Sequence, residues 1–358
     1  MTAAVSTPIS TNSSTRISTK PQYTALPERI VPALACYRAD ASLVEERLAR
    51  LGVPALRDPD VEGATELLDN VTFTHRFVDV DGADGEAVRF HYVEAGPATG
   101  ETVVFLHGLP DSWYQWHHQM AAFAGDYRCV AFDLKGYGQS STAEGDYRHE
   151  AAAEQLVAAL DRIGVDRFNL IAHDRGSVQG DFIAANHPDR VLRYGRGEQH
   201  LYHFHPALAP QAAMFRDAPF TGLMADRTRF VVLVYTWIGR IDLPDDEMLR
   251  VIQEFSYPDI EKAVPRYFNT TTFRMEWIAR RTRLLERWTC PVMVLQSYEG
   301  TVQPREYYVD AHDHIPHAAD VLVRFVDAGH FWSLEDPTTT TAHLRELLAL
   351  PIAGESGS

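Results

Sequence analysis

The sequence predicts an α/β fold: one mostly parallel, doubly wound sheet of eight strands, with a helical cap inserted after the sixth strand. Three observations predict it. From residue 71 onward, short apolar runs alternate with helix-like stretches, the pattern of strand–helix–strand units. The alternation stops across residues 199–287, which are rich in aromatics, and resumes at residue 288. At 358 residues the chain is long enough for one such domain and an inserted subdomain.

Residues 1–22 are rich in Ser and Thr, carry Arg16 and Lys20 but no acidic residue, and lack the apolar run of a secretory signal; they read as a disordered tail. Residues 23–70 place Ile30, Leu34, Leu43, Leu48, Leu51, Leu67 and Leu68 at helix-like spacing. Two or three short helices, an N-terminal extension, are expected there, with packing and dimer contact equally open as their role. Val71–Val80 and Ala87–Glu94 read as a hairpin around Asp81-Gly82-Ala83-Asp84-Gly85. Thr102–Leu106 and Arg128–Phe132 are short buried strands separated by a helix over Trp113–Phe123. Glu150–Ile163 sets Leu156, Val157, Leu160 and Ile163 on one side of a helix. Phe168–Ala172 is the next strand, Gly176–His187 the helix behind it and Val191–Arg196 the sixth strand. Pro291–Gln296 and Val321–Val326 complete the sheet before a last helix near Ala342–Leu350. The core is therefore residues 71–198 and 288–352, and residues 199–287 form a cap over the carboxyl ends of the strands, where ligands bind in such sheets.

Composition narrows the partners. A formal charge of −16 with no basic stripe argues against nucleic acid, and a solvated helix face explains the cluster Arg280, Arg281, Arg283 and Arg287. No apolar stretch approaches a membrane span. Cys36, Cys129 and Cys290 are widely spaced, giving neither a disulfide framework nor a zinc signature; a reducing, cytoplasmic setting is expected. His200, His203 and His205 lack the His-Glu-x-x-His spacing, so no metal and no cofactor are expected. The expected partner is a small molecule, apolar and bulky; a homodimer is left open.

The chemistry centres on Ala172-His173-Asp174-Arg175-Gly176, directly after the run Phe168–Ile171. Alone, such a segment could be a polar turn capping a helix. Its small-x-nucleophile-x-small shape resembles the elbow of α/β-hydrolases, with aspartate where serine is usual. A serine that attacked saturated carbon would leave an ether, a dead end. A carboxylate leaves an alkyl ester that water can cleave at its own carbonyl. An aspartate at the tip therefore points to epoxide opening or carbon–halogen cleavage. Three further segments support the resemblance. His107-Gly108-Leu109-Pro110-Asp111-Ser112-Trp113 is similar to the oxyanion-hole loop of epoxide hydrolases and dehalogenases. Asp133-Leu134-Lys135-Gly136-Tyr137-Gly138-Gln139-Ser140-Ser141 is similar to the loop after the next core strand of soluble epoxide hydrolases, and Gly329-His330-Phe331 to their histidine turn. Over residues 71–198 and 288–350 the chain thus resembles the aspartate-nucleophile branch of the α/β-hydrolase superfamily.

That resemblance implies roles. Asp174 is the nucleophile, favoured in its ionised form by the start of the helix behind it. The backbone N–H groups of Leu109 and Arg175 form the oxyanion hole, and His330 activates the hydrolytic water. The third member is Glu198 or Glu299. In many relatives it follows the strand at 291–296, where this chain has Gly300 at the expected position with Glu299 beside it; in another branch it follows the sixth strand, where Glu198 lies at matching spacing. Glu198 is preferred, because a buried imidazolium needs one close carboxylate. Asp327 reads as structural. Haloalkane dehalogenases hold halide with a side-chain donor after His-Gly and a tryptophan after the nucleophile; Leu109 and Arg175 stand there instead. Fluoroacetate dehalogenases carry His-Asp-Arg-Gly, their arginine gripping the substrate carboxylate, but the second such arginine is Val178 here and Thr236 replaces an expected histidine. Epoxide hydrolases use cap tyrosines to protonate the ring oxygen: Tyr235 is the candidate, with Tyr202 and Tyr267 as others and Ile278 where a second tyrosine is usual. The expected substrate contacts are Tyr235, Trp237, Trp113, Tyr202 and His205. The resemblance implies an epoxide hydrolase-like enzyme, with a haloacid dehalogenase and a non-hydrolytic scaffold as alternatives.

Overall fold

The computed structural model describes residues 22–23, 41–82, 85–204, 224–270, 283–298, 300 and 304–352. Its strands are β1 Gln22–Tyr23, β2 Thr65–Leu68, β3 Val71–Asp81, β4 Ala87–Ala95, β5 Thr102–Leu106, β6 Arg128–Phe132, β7 Phe168–His173, β8 Val191–Gly197, β9 His203–Phe204, β10 Val292–Ser297 and β11 Val321–Val326. Nine of them form one sheet in the order β11-β10-β8-β7-β5-β6-β4-β3-β2. From β6 through β11 neighbours run parallel, while β2, β3 and β4 extend the far edge antiparallel. Every residue of β5, β7, β8 and β10 is buried, as parallel strands covered on both faces must be. The covers are two helix pairs, His149–Arg162 with Arg175–Asn186 and His117–Phe123 with Pro337–Leu348.

The sheet departs from the eight strands expected. The ninth, β2, lies in the segment read as helical extension, because Leu67 and Leu68 were counted towards a helical stripe. Asp69 and Asn70 both sit at positive φ, 49° and 61°. Such a two-residue turn matches the twist of a hairpin and folds β2 back on β3, with Leu68 opposite Val71. The insertion follows β8, the sixth of the expected strands and the seventh in the sheet. Residue 22 is a second departure: Gln22–Tyr23 pairs in parallel with β9, a backbone ladder that leaves no side-chain signature. Among the described residues of 23–70 there is one helix, Ala41–Leu51. It packs on the insertion helix Arg227–Ile238, where Arg47 Nη1 donates to Thr236 Oγ1 at 2.6 Å. Most of the tail, residues 205–223 and residues 271–282 lie outside the described residues. No described helix is long and apolar enough to cross a membrane.

Register builds the site. Leu106 of β5 pairs with Ala172 of β7, and His173 of β7 with Gly197 of β8. The residues just beyond these strand ends, 107–109, 174 and 198, therefore emerge together at one edge. The insertion reaches the same edge: Tyr267 donates to the Lys135 carbonyl at 2.9 Å, and Tyr235 to Asp111 Oδ1 at 2.6 Å. Behind the edge, the fully buried Arg196 of β8 locks its strand to the helix Arg175–Asn186. Its Nε and Nη2 donate to the two Asp181 oxygens at 2.9 and 3.2 Å, and its remaining donors reach the carbonyls of Gln199 and His200 at 3.2 and 3.0 Å. Replacing Asp181 by Ala would leave that guanidinium buried without its counter-charge. The expected loss is about 3–5 kcal/mol of unfolding free energy in denaturant titration. A loss under about 1 kcal/mol would mean the pair does not anchor the edge.

Candidate active site

Asp174 occupies the tight turn between β7 and the helix that follows, with φ 47° and ψ −113°. A side-chain-bearing residue in this region is strained, and strain of this kind persists only where surrounding contacts enforce it. Here the Asp174 N–H donates to the Gly197 carbonyl at 3.0 Å and the Gly176 N–H to the His107 carbonyl at 2.8 Å. Gly176 is needed for that approach, since a Cβ there would lie 2.4 Å from the Leu106 carbonyl oxygen. The turn thrusts the carboxylate forward. Its Oδ1 accepts the Leu109 N–H at 3.1 Å and has Arg175 Nε at 3.7 Å; its Oδ2 has Gln199 Nε2 at 3.5 Å and His330 Nε2 at 3.8 Å. Burial alone would raise the Asp174 pKa, but Arg175, His330 and the Leu109 N–H outweigh it and hold the group below the ordinary aspartate value.

Behind His330 stands Glu198. His330 Nδ1 donates to Glu198 Oε2 at 3.1 Å, and Glu198 Oε1 accepts the Ser297 N–H at 2.6 Å. Burial works against a charged imidazole, but the hydrogen bond and charge of Glu198, with Asp174 and Asp111, raise the His330 pKa above its ordinary value. The His330 turn is itself held. His173 Nε2 donates to the His330 carbonyl at 2.7 Å, and burial depresses the His173 pKa to about 3, so that ring stays neutral. The buried Glu335 accepts four backbone N–H groups: those of Gly329, Arg240 and Ile241 at 2.8, 2.9 and 2.8 Å on Oε2, and that of Phe331 at 3.0 Å on Oε1. One carboxylate thus ties the His330 turn to the end of the insertion helix Arg227–Ile238, whose Ile238 carbonyl accepts the His330 N–H at 3.0 Å. A Cβ at Gly329 would lie 2.5 Å from the Arg240 nitrogen, so glycine is required there.

A second polar pair borders this group. Tyr235 stacks on Phe331 at 3.8 Å and gives its hydroxyl hydrogen to Asp111. Burial pushes Asp111 up to about 7, against the pull of Tyr235 and His330, and its other oxygen has no partner among the described residues. Tyr137 is fully buried, and its hydroxyl is likewise without a partner among them. The charges acting on it are those of Arg175, Asp174 and Asp111.

The structure thus gathers Asp174, Leu109, Arg175, His330, Glu198 and Tyr235 at one edge. Arg175 contributes a guanidinium beside Asp174, held 5.1 Å over the Phe268 ring. Three expected substrate contacts stand elsewhere. Trp113 opens a short 3₁₀ turn that swings its ring towards the β3–β4 hairpin, edge-on to His75 at 5.5 Å, while its backbone N–H donates to Asp133 Oδ1 at 2.8 Å. Trp237 is two positions beyond Tyr235, on a different side of the helix, and is half-buried. Tyr202 stacks on His314 at 3.6 Å. His205, Ile278 and Glu299 lie outside the described residues. Reading along the sequence missed Asp111, Tyr137, His173, Gln199 and Glu335. Asp111 and Tyr137 sit inside quoted motifs and were findable as buried polar groups; Gln199 and Glu335 carry no local pattern. Two groups of described side chains could hold a metal ion, Asp69 with His117 and His118, and His203 with Asp310 and His314; neither includes the Asp174 cluster.

Comparison with known proteins agrees with the geometry. The alpha/beta hydrolase fold family matches residues 101–194. Epoxide hydrolase 4 of Mus musculus is 33% identical over 150 residues, 41% of this chain and 38% of that protein. Epoxide hydrolase B of Mycobacterium tuberculosis is 39% identical over 121 residues, 32% of this chain and 33% of that protein. The matched part spans less than two fifths of the length of either relative. The crystal structure of Cfl2 from Burkholderia cenocepacia superposes with a TM-score of 0.60 at 27% identity, covering 82% of this chain and 99% of that one. The chain is an α/β-hydrolase-fold protein. Over part of its length it is similar in sequence to epoxide hydrolases.

The His330–Glu198 contact makes a titration prediction. The raised pKa keeps His330 protonated at pH values where an ordinary imidazole is already neutral. That interaction stabilises the fold below the unfolded-state pKa and is lost as pH rises through the higher folded value. In Glu198→Gln the His330 midpoint, followed by NMR of the imidazole, is expected to move to lower pH. An unmoved midpoint would remove Glu198 as its partner.

Proposed function

We propose that this protein is an epoxide hydrolase acting through an ester on Asp174. The observation that carries the reading is the division of the Asp174 carboxylate. One oxygen rests on the Leu109 N–H, and the other faces the imidazole that Glu198 supports. Asp174 Oδ2 attacks a ring carbon; the ring C–O bond breaks and its electron pair stays on oxygen. That oxygen takes its proton from Tyr235. When Asp111 is protonated, as its pKa of about 7 permits near neutrality, the carboxyl donates to the Tyr235 oxygen and frees the tyrosine hydrogen for the substrate. Water then adds to the ester carbonyl while His330 removes its proton. The charge that develops on Oδ1 is met by the Leu109 and Arg175 N–H groups, each donor of this kind contributing about 2.7–4 kcal/mol. Collapse breaks the ester bond; the leaving alkoxide takes the proton held by His330 to complete the diol, and the proton left on the Asp174 carboxyl returns through solvent to the Tyr235–Asp111 pair, restoring every group.

The buried rings of Tyr235, Phe331 and Phe268, beside His330 and Arg175, favour an apolar epoxide. Residues 199–287 serve in this reading as the cap on a core of residues 71–198 and 288–352. The buried free thiols of Cys129 and Cys290 suit a reducing cytoplasm. One observation favours a second reading, a haloacid dehalogenase: Arg175, buried beside the nucleophile, could bind a substrate carboxylate.

Trapping separates the two. In His330→Gln the first half-reaction proceeds and the second stalls, so incubation with an apolar epoxide is expected to add the full substrate mass to the peptide holding Asp174. The adduct should be absent in Asp174→Asn. A mass short by hydrogen halide, from a haloacid, selects the second reading; no adduct from either class sinks both. With turnover restored, Tyr235→Phe is expected to slow ring opening by about 10²-fold in single-turnover measurements. An unchanged rate would remove Tyr235 as the acid.

A further inference from the structure

Away from Asp174, three ligating side chains distant in sequence converge. His203 begins β9, the two-residue strand just after the Gln199–Tyr202 turn; Asp310 and His314 lie in the segment between β10 and β11. Both histidines direct Nε2 at the same carboxylate oxygen: His203 lies 2.7 Å and His314 3.2 Å from Asp310 Oδ2. The second oxygen, Oδ1, is buried and has no hydrogen-bond partner among the described residues. Tyr202 stacks on the His314 ring at 3.6 Å with the planes 12° apart, which fixes its direction. The three side chains are 12%, 35% and 15% exposed, enough for an ion and a water to enter.

We propose that His203, Asp310 and His314 form a structural site for a divalent transition-metal ion of the zinc type. Two imidazoles and one carboxylate, completed by water, are the donor set that borderline-soft ions take in tetrahedral geometry. The ligand atoms lie within 4.8 Å of one another, so small side-chain rotations would bring them round one ion. The other cluster, Asp69 with His117 and His118, has an exposed carboxylate and shows no buried unpartnered oxygen on Asp69. The proposed ion would pin the entry of the insertion to the core. Gln199, four residues before His203, donates to Asp174 Oδ2, and its carbonyl accepts the Tyr308 hydroxyl at 2.8 Å. The ion therefore stiffens the chain that carries a nucleophile contact without touching the reacting atoms.

The test is titration of chelator-stripped full-length protein with zinc chloride, followed by calorimetry and by thermal melting. One equivalent is expected to bind. At a 100-fold excess of free zinc over the dissociation constant, the melting temperature is expected to rise by about 4 °C. Asp310→Asn and His314→Gln should each weaken binding by at least about tenfold, while His118→Gln should leave it unchanged. Circular dichroism checks that each variant is folded, and the conservative His314→Cys, which keeps a zinc ligand, should bind more tightly than His314→Gln. Absence of zinc binding to the unaltered protein overturns the site. So does equal affinity in folded Asp310→Asn and His314→Gln, or loss of binding only in His118→Gln.

Discussion

Everything at the site depends on keeping one buried carboxylate charged. Burial pushes Asp174 towards its neutral acid, which could not serve as the nucleophile of the proposed reaction. The protein counters with the Leu109 N–H on one oxygen, the Arg175 guanidinium alongside and the His330 imidazole facing the other. None of these is a close, bidentate ion pair. Arg175 Nε at 3.7 Å and His330 at 3.8 Å sit outside hydrogen-bond distance. A tight pair would hold the charge more firmly and also quench its nucleophilicity. The looser arrangement stabilises the anion through space and leaves Oδ2 with long contacts, Gln199 Nε2 at 3.5 Å and His330 Nε2 at 3.8 Å.

The same need explains the backbone. Asp174 at φ 47° costs on the order of 1–3 kcal/mol. That strain is held by β5, β7 and β8, whose register aligns three strand ends, and by the bidentate Arg196–Asp181 pair behind them. Glu198, the residue after β8, also takes positive φ, 53°. Two strained turns on adjacent strands thus bring the Asp174 and Glu198 carboxylates to either side of the His330 imidazole.

Much of this was legible in the sequence because it is local. The elbow, the His107–Trp113 loop and the Gly329-His330 turn each carry several fixed residues, and short apolar stretches such as Val103–Leu106, Leu170–Ala172 and Val292–Leu295 declare the buried strands. Glu198 could be preferred over Glu299 on spacing. What stayed hidden depends on partners far along the chain or on the backbone alone. Thr65–Leu68 is a strand because Asp69 and Asn70 adopt left-handed conformations, and the apolar pair Leu67 and Leu68 suits helix and strand equally. Trp113 looked like a pocket residue because it follows a motif, yet the 3₁₀ turn it begins rotates it away. His203 lacked metal spacing because its would-be co-ligands are more than a hundred residues downstream.

Glu335 shows how the insertion and the core become one machine. Its two oxygens accept four N–H groups, two from the His330 turn and two from Arg240 and Ile241 at the end of the helix carrying Tyr235. An anion satisfying four buried donors is far more costly to displace than any single hydrogen bond, because each orphaned N–H would add its own desolvation penalty. Tyr235 and His330 are therefore held by the same side chain. In the proposed reaction the first acts on the ring oxygen and the second on the water, on opposite halves of the cycle. A shared anchor means that a movement of the insertion large enough to misplace the acid also misplaces the base. The two half-reactions are thus coupled through structure although they are separate in time.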